Sequence, residues 1–155
     1  MRLYLARHGE SIVKENMHEP SLSEQGKKDI LLLATFLKTI NIRVSNIFHS
    51  GKLRTQQTAE LLSTGITCAT AIQPIAGLDP SDDVTLMVNE IMKWEYDTLL
   101  VGHLPFMSKF VGKLIADNEY KEIMFFYPGS FVCLEQVEDS NWVIEYALHP
   151  RLFRL

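Results

Sequence analysis

A chain of 155 residues, 46% hydrophobic and 22% charged, has the size and balance of one globular domain around one core, here expected over residues 1–155, and not of a disordered segment. A net charge of -4 excludes a general electrostatic binder of nucleic acid, but leaves room for a locally positive pocket. The two cysteines, Cys68 and Cys133, stand far apart without CxxC spacing, which speaks against a metal knuckle and fits a reduced, cytoplasmic protein.

Residues 2–6 (RLYLA) read as a strand that runs into Arg7-His8-Gly9. This apolar start is too short for a signal peptide, and no later stretch reaches membrane-spanning length. The polar segment 16–20 predicts a loop. Ser21-Leu22-Ser23-Glu24 has capping-box spacing with Ser21 as the cap, and a helix with Ile30, Leu33, Ala34 and Leu37 on its inner face comes next. Asn46–His49 reads as a second strand, and Ser50-Gly51 opens a helix through KLRTQQTAELL. A weak strand is expected over 69–73. Val84, Met87, Val88, Ile91 and Met92 recur at helical spacing. Thr98–Val101 is a buried strand ending in Gly102-His103, and Pro105 suits the first turn of a helix that buries Phe106, Phe110, Val111 and Leu114. FVCLEQV and WVIEYAL, separated by EDSN, have the pattern of an antiparallel hairpin.

Strands alternating with helices predict an α/β fold, three layers deep, with a mixed and mostly parallel sheet. Ligands of such sheets sit beyond the carboxyl ends of the strands. One strand ends on Arg7-His8, another on His103, and Arg54 lies near the start of a helix that follows a third. Two imidazoles and two guanidiniums make a poor core, because unpaired buried arginines are costly. They suit an anion, since the guanidinium fork matches phosphate oxygens. Gly9 would let the backbone approach that ligand closely. A histidine neutral at its attacking nitrogen, with the other nitrogen held by an acceptor, can be a nucleophile on phosphorus. A second, protonated, would stabilise the transferring phosphoryl group together with the arginines.

LARHGES, SGKLRTQQTAELL and LLVGHLPF, in that order, resemble the histidine phosphatase superfamily, also called phosphoglycerate mutase-like. The short length, LSEQG and LDPSDDV make the chain similar to the small SixA-type phosphohistidine phosphatases. The resemblance implies that His8 is the phosphorylated nucleophile, that Arg7, Arg54 and His103 complete the phosphate site, and that neither metal nor organic cofactor is needed. It implies a phosphoglycerate mutase-like fold and a phosphohistidine-bearing phosphotransfer domain or a small phosphorylated molecule as substrate, with inorganic phosphate as product. Gly51 replaces the proline common after the serine of the second motif. Larger relatives carry a lid insertion and a glutamate as general acid. Residues 65–97 leave little room for a lid, so the proton donor is sought among Asp79, Asp82 and Asp83, with Asp83 preferred.

Competing readings are a small-metabolite phosphatase or mutase, a phospho-ligand-binding module without catalysis, and a zinc hydrolase, for which no HExxH or comparable set is present. Mutase chemistry must keep water from the intermediate, which a chain without a lid does poorly. Ser11 and Ser50 read as local caps. His18, His49 and His149 share no ligand spacing and read as incidental, and Phe125-Phe126-Tyr127 reads as packing.

Overall fold

The computed structural model describes residues 1–154. β1 (Arg2–Arg7) lies inside a six-stranded sheet. Leu3 and Leu5 point into one hydrophobic cluster, Tyr4 and Ala6 into another. A strand covered on both faces needs an unbroken apolar run, and period-two alternation divides it between two layers. β2 (Ser11–Ile12) and β3 (Ser21–Leu22) form a small antiparallel ladder that no local pattern predicts. α1 (Glu24–Thr39) comes next, with Ile30, Leu33, Ala34 and Leu37 all buried. Its cap is Ser23 and not Ser21: the Gly26 N–H donates to Ser23 Oγ at 3.0 Å. Ser21 is already committed to β3, where it is buried.

β4 (Arg43–Val44) pairs in parallel with β6 (Thr67–Cys68), and β5 (Asn46–His49) pairs with β7 (Gln73–Pro74). The single strand expected over 69–73 is thus two short pieces with different partners. α2 (Leu53–Leu62) lies between β5 and β6. In α3 (Val84–Ile91) Val84, Met87 and Ile91 are buried, whereas Met92 is the exposed C-cap. β8 (Thr98–Gly102) leads to α4 (Phe106–Ala116), whose cap is Pro105, one residue before the first turn. Phe106, Phe110 and Val111 fill the core and Leu114 is partly covered. β9 (Phe131–Gln136) and β10 (Trp142–Leu148) form the expected hairpin.

The sheet order is β10-β9-β1-β8-β5-β7. β1, β8, β5 and β7 run parallel to one another, β9 runs antiparallel to β1, and β10, antiparallel to β9, returns to the direction of β1. Helices α1 and α2 contribute to the cluster on one face, α3 and α4 to that on the other. The result is an α/β fold with a mixed, mostly parallel sheet between two helical layers, and between α2 and β8 the chain holds only β6, β7 and α3, without a large insertion. The strand register aligns the carboxyl ends of the parallel strands: Arg7 stands opposite Gly102, and His49 opposite Val101. Three strand ends are therefore level, and the residues after them emerge side by side.

Helix α1 also packs close to the turn after β1. A Cβ at Gly26 would run into the Glu10 carbonyl, and one at Gly9 would lie 3.0 Å from Ile30 Cγ1 and 3.2 Å from Leu22 Cδ2. The glycine of the first motif therefore makes room for α1 and the core, not for a ligand.

Candidate active site

His8 leaves the end of β1 with its backbone N–H bonded to the Gly102 carbonyl at 3.0 Å. Its Nδ1 lies 2.7 Å from the Gly9 carbonyl. A carbonyl can only accept, so Nδ1 carries the proton and Nε2 keeps its lone pair. Burial, then the Arg54 and Arg7 charges, push the imidazole down to about 4 against the opposing effect of the Gly9 bond. The ring is therefore neutral at physiological pH, in the tautomer with a bare Nε2.

His103 follows β8, and its ring centroid is 5.2 Å from that of His8, the planes at 62°. Its Nε2 lies 2.7 Å from Ser50 Oγ, which lies 2.9 Å from Thr55 Oγ1. Its Nδ1 is buried without a partner among the described residues. Burial first, then the charges of Arg54, His8 and Lys52, push it down to about 3. The protein groups alone thus oppose the protonated His103 expected from the sequence; a bound dianion would act in the opposite direction.

Arg7 donates from Nη1 to the Phe126 carbonyl at 2.7 Å, while its buried Nε has no partner among the described residues. Burial lowers its guanidinium from the usual arginine range. Arg54 stands in the first turn of α2, half-buried, and its charge reaches both imidazoles. A buried guanidinium nitrogen and a buried ring nitrogen without partners are expensive, and both costs fall where the cationic groups gather. An anion with several oxygens is the ligand such a set fits.

Of the aspartates before α3, Asp83 is the exposed N-cap, its Oδ1 accepting the Thr85 N–H at 2.9 Å. Asp82 accepts the Asp79 N–H at 2.9 Å. Asp79 itself stands 4.0 Å from Lys52 Nζ. A cleft of about 650 Å³ lies at the opposite end of the sheet, walled by Arg2, Tyr4, Phe36, Arg43 and Tyr146. It holds none of the residues that gather around His8.

A family model for the histidine phosphatase superfamily (branch 1) matches residues 3–79. The chain belongs to the histidine phosphatase superfamily. Comparison with solved structures gives the same fold at low identity. The protein histidine phosphatase SixA complexed with tungstate has a TM-score of 0.87 at 19% identity, covering 99% of this chain and 100% of that one. An alpha-ribazole phosphatase from Shigella flexneri has a TM-score of 0.76 at 15% identity, covering 97% of each. A phosphoserine phosphatase from Entamoeba histolytica, in complex with 3-phosphoglyceric acid, has a TM-score of 0.71 at 11% identity, covering 94% and 95%. No curated protein matches by sequence.

This histidine phosphatase brings His8, His103 and Arg54 within electrostatic reach of one another, with Arg7 beside them. Asp83 is turned to capping α3. Sequence reasoning missed three supports. Thr58 accepts the Gly9 N–H at 3.1 Å and so ties α2 to the first motif. Thr55 backs Ser50, which bonds His103 as well as bonding locally. Lys52 adds a cation. The signal was there in part: Thr55 and Thr58, fully buried, are spaced i, i+3 on α2, and polar side chains on a buried helical face need partners.

Proposed function

We propose that this phosphatase hydrolyses phosphohistidine carried on a protein, through a covalent phosphohistidine on His8. The observation that carries the reading is the His8 ring, held by Gly9 at Nδ1 with Nε2 free and Arg7, Arg54 and His103 around it. Nε2 attacks phosphorus, the P–N bond of the substrate breaks, and its imidazole leaves with a proton. Water then attacks phosphorus on His8, releasing inorganic phosphate and restoring the free ring. Arg7 and Arg54 hold the phosphoryl oxygens, and His103 joins them once the dianion raises its proton affinity. No step calls on a metal or organic cofactor.

The absence of a large insertion between α2 and β8 supports an open site. Such a site gives up binding energy to the body of a small metabolite, yet admits a side chain projecting from a folded partner. Imidazole also leaves easily once protonated, so a weak enzymatic acid suffices. Catalytic efficiency on a histidine-phosphorylated phosphotransfer domain is expected to exceed that on phosphorylated sugars and phosphoglycerates. A preference of tenfold or more for a small metabolite would replace this reading with a metabolite phosphatase.

Asp83 is assigned a modest share of proton transfer. Asp83→Asn keeps an oxygen for the Thr85 N–H and hence the cap. General acid catalysis is typically worth ~10²–10⁴-fold for poor leaving groups. The variant should therefore lose little on an aryl phosphate and distinctly more on a serine phosphate; equal losses remove Asp83 from the mechanism.

A further inference from the structure

The 14 residues from Asp117 to Ser130, between α4 and β9, are bound to the first motif at three points. The Phe126 carbonyl accepts Arg7 Nη1 at 2.7 Å, the Ser130 carbonyl accepts the Arg7 N–H at 3.0 Å, and the Gly129 N–H donates to the His8 carbonyl at 3.0 Å. Phe126 is buried against the α3/α4 core, which anchors the segment. Its two neighbours are not core. Phe125 is 71% exposed, and its ring centroid lies 5.4 Å from that of Tyr127. Tyr127 is followed in the stack by His149 at 4.7 Å, and the Arg151 guanidinium lies 4.8 Å from the Tyr127 ring centroid. Arg151 is exposed and has no carboxylate partner among the described residues. Of the run that reads as packing in the sequence, only Phe126 packs; and His149, without a role there, is part of the stack.

We propose that Phe125, Tyr127 and Arg151 form a docking ledge for the protein that presents the phosphorylated side chain, an inference that rests on the proposed protein substrate. The ledge begins one residue from the carbonyl that holds Arg7, so whatever places a phosphoryl group against Arg7 brings its surroundings over Phe125. A small phosphorylated metabolite is used up by the phosphate site and has little left to cover an aromatic stack. A folded partner has. The chemistry it must offer is an apolar patch for Phe125 and a carboxylate for Arg151, both beside the phosphorylated residue. Phenylalanine, tyrosine and arginine are enriched at such contacts, and tyrosine and arginine are among the side chains that contribute most there, while stacking on Tyr127 and His149 holds the ledge ready at little entropic cost.

The test compares kcat/KM on a histidine-phosphorylated phosphotransfer domain with kcat/KM on an aryl phosphate, for the wild type, Phe125→Ser and Arg151→Glu. Both positions are exposed, so neither variant opens the core. The ratio is expected to fall by about tenfold or more in each variant, through KM for the phosphoprotein. A wild type active on the phosphoprotein, with variant ratios within threefold of it, overturns the ledge and leaves the substrate class standing. A wild type inactive on the phosphoprotein overturns the substrate class and the ledge with it. An unchanged ratio with loss of self-association in Phe125→Ser, read by light scattering, assigns the patch to a second copy of this chain and overturns the proposal.

Discussion

His8→Ala is expected to abolish turnover while still binding vanadate. The alanine variant keeps Arg7, Arg54 and His103, hence most of the anion site, but no nitrogen remains to take the phosphoryl group. Rapid quench of the wild type should trap acid-labile phosphate on His8. Normal turnover by the variant would defeat the assignment. The same ring has a pH signature. Its proton affinity in the fold, near 4, lies below the value of ~6.5 for an unperturbed histidine, and that of His103, about 3, lies lower still. The unfolded chain therefore binds these protons first as pH falls. Stability should decline as pH drops from about 6.5 towards 4, and recover on the way up. NMR should show both rings neutral down to about pH 5, and His8→Ala should flatten part of the decline. Titration of both rings near their ordinary value would contradict the burial that defines the site.

Arg54→Ala is expected to cost ~2–4 kcal/mol of transition-state stabilisation, roughly thirty- to a thousand-fold in rate. Alanine suits a helix, and the Arg54 guanidinium makes no hydrogen bond or ion pair with the described residues, so the loss should not be one of folding. Its removal also takes away a positive charge that lowers both imidazoles, so both should titrate higher in the variant. Arg54→Lys keeps the charge without the fork and should recover only part of the rate. A change below threefold in Arg54→Ala would contradict the assignment.

What could be read from the sequence was what repeats or ends visibly. The two-sided burial of LYLA, the inward stripe of α1 and the β9/β10 hairpin reflect periodicity. The candidate site was legible because three motifs fall at strand or helix ends, and the level register of Arg7 with Gly102 brings two of them together. What stayed hidden depends on partners remote in sequence. β2 and β3 are held by each other and not by local alternation. The cap moved from Ser21 to Ser23 because β3 claims the former. The exposure of Phe125, and in part of Tyr127, beside a buried Phe126 depends on where the loop meets Arg7, which no spacing encodes.

Gly26 links the frame to the His8 ring. Its bare Cα lets α1 lie against the Glu10 carbonyl, and Glu10 adjoins the Gly9 oxygen that fixes His8. Any side chain at position 26 must lift the helix or shift that turn, and the second response rotates the imidazole. Tolerance to mutation in this enzyme should accordingly be uneven. The outer face of α1 can drift freely, while the backbone contact between Gly26 and Glu10 is expected to act as a calibration point for the angle of the His8 ring.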